Sequence, residues 1–347
     1  MSDGEPAELD VVRRLHALTD LVTPMALRTF VSLGLPDHLR DRPGTAAELA
    51  ELTSCNARIL TGILEHLASR EVVRAGPGGR YTLTALGRAA CSTPAPSPQS
   101  WLVDSLRLGT LTGDVNHSVV ALLDVVRSGR TGLEEHHGEP VWSRVARMDL
   151  DQTRALFGHR NPVVEFGPIE KLVRAYAPRT VCDLGAGTGR LARELLTRRL
   201  CSHCHVVDLE PMISLADEML DDIDHRSYSL HEADFMTDPL PAADLYVLCD
   251  ILADWPDDDA IHLLGVVRKA AGVRPAVLVT QLILPGGAGD LFDPTAGRVR
   301  LDIEMARPAR TVEEVCALGA AAGLRVVSTE AAQHRSAVLL ESESATP

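Results

Sequence analysis

The chain has 347 residues, 45% of them hydrophobic, which is long enough for two domains and apolar enough to bury more than one core. Lys and Arg number 34 against 48 Asp and Glu, a net charge of -14; such a surface repels phosphate backbones and anionic lipid, so no nucleic-acid or membrane partner is expected and a small-molecule partner is. No run approaches the roughly 20 apolar residues of a membrane span, and the N-terminus shows no basic region followed by an apolar stretch, so the expected location is cytoplasmic.

From about residue 10 to 95 the pattern is helical, closed by a short hairpin. Leu18, Leu21, Val22, Met25, Ala26 and Leu27 give the first helix an apolar face suited to a dimer core. Thr45 followed by Glu48 is a capping box. A helix over 57–69 places Ile59, Leu60, Ile63, Leu64 and Leu67 on one stripe. After it, 72–75 and 80–83 flank the turn Gly76-Pro-Gly-Gly79, a hairpin signal. Together these read as a winged helix. A DNA-binding role conflicts with its charge, because Arg58 and Arg70 are opposed by Glu65 and Glu71, too little for a phosphate-tracking face. The segment is read as a dimerisation domain over 1–97, and the expected partner is a second copy of the chain.

The Pro-rich stretch Ser92-Thr-Pro-Ala-Pro-Ser-Pro98 reads as the start of a connection, running to about residue 105, in which no helix is expected. A helical linker over 98–177 follows, broken at Pro140 and Pro162. Within it His136 and His137 are expected to point in opposite directions, so no metal site is expected. From Thr180 onward β-branched clusters such as Val206-Val207 and Val277-Leu-Val-Thr280 alternate with helical patterns, the mark of a doubly wound α/β sheet over 178–347. Cys201-Ser-His-Cys204-His205 reads as a surface turn before a strand. Seven cysteines, an odd number, are scattered through these elements, as expected of reduced thiols.

The most informative segment is Thr180-Val-Cys-Asp183-Leu-Gly185-Ala-Gly187-Thr-Gly189: a short strand, a glycine-rich turn and then a helix, so that backbone can approach a ligand where side chains would obstruct it. The spacing differs from the dinucleotide fingerprint. About 25 residues on, Val206-Val207-Asp208 ends a second strand with a carboxylate, where this architecture grips a ribose diol. Asp234-Phe235 then offers an acceptor for an amino group and an aromatic edge for a purine.

These segments, with Asp208-Leu-Glu-Pro, the block Ala243-Asp244-Leu-Tyr-Val-Leu-Cys-Asp250-Ile-Leu-Ala-Asp254-Trp255 and Arg310-Thr-Val-Glu-Glu, resemble the ordered motifs of the S-adenosylmethionine-dependent small-molecule O-methyltransferases of plants and bacteria. The resemblance covers nearly the whole chain. It implies a C-terminal Rossmann-like methyltransferase sheet with an N-terminal, mainly helical winged-helix dimerisation domain, and linker helices lining an acceptor pocket. It further implies S-adenosyl-L-methionine as cofactor, with Gly185 and Gly187 near its methionine part, Asp208 at the ribose, Asp234 and Phe235 at the adenine and Trp255 closing on that ring; Asp183 and Leu209 are further cofactor-binding candidates. Cys249 stands where the family often has a cofactor-contacting Lys.

The catalytic positions depart from the family. Where a His commonly precedes Asp-Trp and takes the acceptor proton, this chain has Ala253, and Gln281 and Ala309 stand where two Glu would support that His. Methyl transfer from a sulfonium already has a good leaving group, and alignment alone supplies several kcal/mol. The chain is similar in this to bacterial polyketide and anthracycline tailoring enzymes. The expected activity is O-methylation by proximity of an aromatic or polyketide-like secondary metabolite; the alternatives are C- or N-methylation, or hydroxylation, decarboxylation or cyclisation on the same fold. Asp254, His159 and Asp250 are the candidate substitute bases.

Overall fold

The computed structural model describes residues 5–93, 97–158, 163, 165–270, 276–282, 294–308 and 310–342. The chain divides into two compact units, 1–117 and 118–347, and the helices of the 98–177 segment are shared between them.

In the first unit, strands β1 (Gly44–Thr45), β2 (Val73–Ala75) and β3 (Arg80–Leu83) form an antiparallel sheet in the order β1-β3-β2. The capping box forms: Thr45 Oγ1 accepts from the Glu48 N–H at 3.2 Å, and the Thr45 N–H donates to Glu48 Oε2 at 2.8 Å. Caps of this kind contribute about 1 kcal/mol. The same carboxylate receives Arg80 Nη2 at 2.7 Å, which ties the helix Ala46–Leu52 to β3. On the helix Ala57–Ser69, Leu60, Leu64 and Leu67 are buried against Phe30 and Leu35. Ile59, expected on that stripe, is 54% exposed; it precedes Leu60 and so lies about 100° round the helix from the buried line. The first apolar face belongs to two helices, Glu5–Leu18 and Val22–Ser32. Ala26 is buried, while Leu18, Leu21 and Val22 are exposed by 84%, 74% and 64%.

The Pro-rich connection ends sooner than expected, because a helix over Pro98–Leu106 starts inside it. Ser97 Oγ accepts from the Ser100 N–H at 3.0 Å, and Ser100 Oγ in return accepts from the Ser97 N–H at 2.9 Å. Pro98 occupies the first turn, where its missing N–H has no partner to lose.

The second unit carries β4 (Thr180–Leu184), β5 (His203–Asp208), β6 (Tyr228–Glu232), β7 (Leu245–Cys249), β8 (Ala276–Leu282), β9 (Leu324–Ala331) and β10 (Arg335–Ser342), in the order β6-β5-β4-β7-β8-β10-β9. The pairs from β6 to β8 are parallel, and β10 runs antiparallel to both β8 and β9. Alternate residues feed opposite layers: Val181, Val206 and Leu245 pack with Leu191 and Leu195, whereas Cys182, Val207 and Tyr246 pack with Leu263 and Val267. A parallel sheet covered on both faces needs such near-continuous apolar strands. Strand order reverses between β4 and β7, which opens a crevice at their C-terminal ends.

The Cys201–His205 segment is less a turn than expected, since β5 begins at His203 and Cys204 is fully buried. The strand pleat brings His203 and His205 to one face, their rings 4.9 Å apart, and His205 Nδ1 lies 3.0 Å from His231 Nε2 on β6. Burial, with His203 and His231 adding to it, pushes His205 down to about 4. An unfolded chain binds a proton there near pH 6.5 that the folded chain refuses, so this site costs stability as pH falls from about 6.5 toward 4. Asp183, pushed up to about 7, acts in the opposite direction. The expected outcome is therefore a difference: thermal unfolding at pH 7 and pH 5 should show a smaller acid-induced loss of Tm in His205→Gln than in the parent chain, and equal losses would refute the assignment.

Candidate active site

The glycine turn after β4 is built from backbone. Gly185, Gly187 and Gly189 have φ of +67°, +57° and +70°, a left-handed region that other residues enter only at a cost. Gly185 also lacks room, because a Cβ there would lie 2.3 Å from Ile251 Cδ1 and 3.3 Å from Phe235 Cε1. The turn is held to β5 by Gly185 N–H donating to the Val207 carbonyl at 2.9 Å and Gly187 N–H to Asp208 Oδ2 at 2.7 Å. Asp208 Oδ1 accepts from the Leu209 N–H at 2.7 Å. Each carboxylate oxygen can accept a second hydrogen bond, so Asp208 keeps capacity for a ligand hydroxyl. Burial raises its pKa, and the Gly187 and Leu209 N–H groups oppose the rise.

Beneath the turn lies a cavity of about 310 Å3, lined by Asp183, Gly185, Gly187, Cys249 and Asp250 of the expected site. Thr188, Arg190, Met212, Leu282 and Arg335 also line it, as do Leu156, Phe157 and Val163. Thr188 and Arg190 adjoin the glycine motif, and that adjacency is the signal that could have found them; Arg335 sits on a distant strand and carries no local signal. Two polar atoms here are buried without a hydrogen-bond partner, Asp183 Oδ2 and Thr188 Oγ1. An unsatisfied buried acceptor is costly, and burial pushes the Asp183 carboxyl up to about 7 against the lowering effect of the Ala192 N–H, with Asp208 raising it further. A ligand that brings an ammonium and a sulfonium satisfies both conditions, and Arg190 lines the same space for a carboxylate. The donor set fits S-adenosylmethionine.

Leu209, Asp208, Asp234, Phe235 and Trp255 lie outside the cavity lining. Asp234 is exposed just beyond β6, with Oδ1 accepting from the Met236 N–H at 2.9 Å. The half-buried Phe235 ring, which lies close to Gly185, meets Trp255 edge to face with centroids 6.2 Å apart.

On the catalytic side the short turn Leu252–Asp254 carries Ala253. Arg310, 5% exposed, donates to the Leu252 and Trp255 carbonyls and to Asp257 at 2.8 Å. Gln281 donates its amide to the Arg310 carbonyl, and the Ala253 carbonyl accepts from the Arg307 N–H at 2.9 Å. Gln281 thus braces the segment that holds the turn. Asp254 is pushed up to about 7 by burial, with the charge of Asp250 adding to it. Asp250 accepts from Arg335 and from the Leu282 N–H. Cys249 is pushed far above the ordinary thiol range by burial, then by Asp250, and stays protonated near neutral pH. His159 and Ala309 lie outside the described residues.

Among the described residues no group of three His, Cys, Asp or Glu side chains is arranged to hold a metal. His136 and His137 do not point in opposite directions: their rings meet edge to face at 4.6 Å, because successive helical residues are only about 100° apart.

Comparison with known proteins accords with this geometry. Residues 120–325 match the O-methyltransferase domain and residues 15–93 the O-methyltransferase dimerisation domain. The chain is 31% identical over 345 residues to aclacinomycin 10-hydroxylase RdmB of Streptomyces purpurascens, covering 94% of this chain and 88% of that one. It is 30% identical over 315 residues to 2,7-dihydroxy-5-methyl-1-naphthoate 7-O-methyltransferase of Streptomyces carzinostaticus, covering 90% and 92%. Among solved structures, the O-methyltransferase NcsB1 from neocarzinostatin biosynthesis, in complex with S-adenosyl-L-homocysteine, superposes with a TM-score of 0.77 at 28% identity, covering 94% of this chain and 99% of that one. The chain belongs to the S-adenosylmethionine-dependent O-methyltransferase family, with both its methyltransferase and its dimerisation domain.

Proposed function

We propose that the protein is a cytoplasmic homodimer that transfers a methyl group from S-adenosylmethionine to a phenolic oxygen of a small, aromatic, polyketide-like metabolite. The observation that carries this reading is the pair of buried, unsatisfied polar atoms, Asp183 Oδ2 and Thr188 Oγ1, at a glycine turn too tight for side chains. The exposed Leu18, Leu21 and Val22 within the dimerisation match favour a second copy as partner. Seven free cysteines suit a reducing compartment.

When bound, the cofactor supplies a methyl group already activated by a sulfonium. Asp183 and Thr188 hold its amino-acid end, with Gly185 and Gly187 letting the backbone approach. Asp208 and Leu209 hold the ribose, Asp234 and Phe235 the adenine, and Trp255 covers that ring. Leu156, Phe157 and Val163 supply an apolar wall for the acceptor and exclude water. Asp254 takes the acceptor proton: a carboxyl pushed up to about 7 is matched to that task at neutral pH, and it adjoins the position where the family His would stand. Asp250, engaged by Arg335, has a structural part instead.

A second reading is favoured by Ala253 and by the relative named as a hydroxylase. In it the same site orients a substrate for chemistry that consumes no methyl. With 1,4-dihydroxy-2-naphthoic acid as trial acceptor, a methylated product with one S-adenosylhomocysteine per turnover supports methyl transfer. A modified acceptor with no S-adenosylhomocysteine supports the second reading instead.

Two variants test the residues. Asp208→Ala should bind S-adenosylmethionine about tenfold to a hundredfold more weakly by calorimetry, the cost of a lost charged hydrogen-bond acceptor; unchanged affinity in a folded variant removes Asp208 from the site. A base must be deprotonated to act, so methylation of the trial acceptor should rise with pH through about 7. In Asp254→Asn the rate should fall about a hundredfold and that inflection should vanish; an unaltered pH profile excludes Asp254 as base.

A further inference from the structure

β7 ends at Cys249, and the next residue, Asp250, has a φ of +64°. Six described non-glycine residues have positive φ, and among them Asp250 alone lines the cavity. A residue persists in that region when its surroundings over-determine it. Here they do: the Asp250 N–H donates to the Thr280 carbonyl at 2.8 Å, Oδ1 accepts from the Leu282 N–H at 2.9 Å and from Arg335 Nη1 at 3.1 Å, and Oδ2 accepts from Arg335 Nη2 at 2.9 Å. Arg335 is 1% exposed, and its Nη1 also lies 3.3 Å from Thr280 Oγ1 and 3.7 Å from Cys249 Sγ.

This ion pair is not needed to join the strands it touches. β8 and β10 are already paired from Leu282 opposite Arg335 to Ala276 opposite Glu341. A buried ion pair is moreover a weak source of net stability, since apolar residues of similar volume often serve as well. What the pair does hold is the left-handed turn that leads from β7 to Ile251. That side chain packs so closely on Gly185 that a Cβ there would lie 2.3 Å from Ile251 Cδ1. The end of β7 and the glycine turn are therefore set against each other through Asp250.

We propose that Asp250 and Arg335 are positioning residues for the cofactor: their ion pair fixes the turn after β7, and through Ile251 and Gly185 it sets the floor on which the methionine end of S-adenosylmethionine rests. The inference rests on the cofactor occupying this cavity, as proposed above.

The test is calorimetric titration of the full chain with S-adenosylmethionine and, separately, S-adenosylhomocysteine, in the parent and in Arg335→Met, Asp250→Asn and Arg335→Lys. Arg335→Met and Asp250→Asn should each weaken both ligands by about tenfold or more, the effect of losing one charged hydrogen-bonded partner. Arg335→Lys keeps the charge without the two-pronged contact and should recover part of the affinity. If Arg335→Met does not fold, Asp250→Asn, which keeps the side-chain volume, decides. Variants that bind both ligands within twofold of the parent, even with a lower Tm, would make the pair structural only and overturn the proposal. A parent chain that binds neither ligand would instead overturn the cofactor reading on which it rests.

Discussion

The hydrogen bond from the Gly187 N–H to Asp208, 2.7 Å long, joins the glycine turn after β4 to the end of β5. It requires backbone, because the donor sits in a left-handed turn where a side chain would strain φ. It also requires a carboxylate at the end of β5, since the same group must reach the Leu209 N–H on its other oxygen. Asp208 is thereby held on both oxygens by the chain itself. Preorganisation of this kind lowers the ordering cost of binding, and it follows from parallel pairing of β4 with β5, which sets Leu184 beside Val207 and so brings both strand ends to one level.

The catalytic side follows a different constraint. The turn Leu252–Asp254 carries only a methyl group at Ala253, yet the turn itself is strongly held. Arg310 reaches both the Leu252 and Trp255 carbonyls, and Gln281 in turn holds the Arg310 carbonyl. Gln281 is thus part of the brace. A turn held this firmly fixes the backbone around Ala253, and alignment of reacting groups alone can lower a barrier by several kcal/mol.

Features set by local sequence are legible without the structure. The Thr45 capping box, the helix over 57–69, the hairpin around Gly76–Gly79 and the glycine turn each depend on residues within a few positions of one another. Helix onset at Pro98 escapes a reading that weighs proline content above the Ser97 cap, although proline suits a first helical turn. The start of β5 at His203 is hidden because polar His and Cys mask the alternation that the pleat imposes. Arg335 is not foreseeable at all: it reaches Asp250 only because β10 inserts antiparallel beside β8, a pairing that no short-range pattern encodes.

The distribution of charge within the second unit unites these observations. Asp250 receives Arg335 and Asp257 receives Arg310, so two acids near the strand ends are matched by buried guanidinium groups. Asp183, Asp208 and Asp254 are instead raised by burial, the first and last to about 7. Burial disfavours the ionised carboxylate, and a nearby positive charge favours it. A ligand carrying a sulfonium and an ammonium beside Asp183 would supply that charge and lower the cost of ionising the buried acid. The same reasoning separates the two acids on either side of Leu252: Asp250 is paired with Arg335, whereas Asp254 is raised by burial and in part by that neighbouring charge.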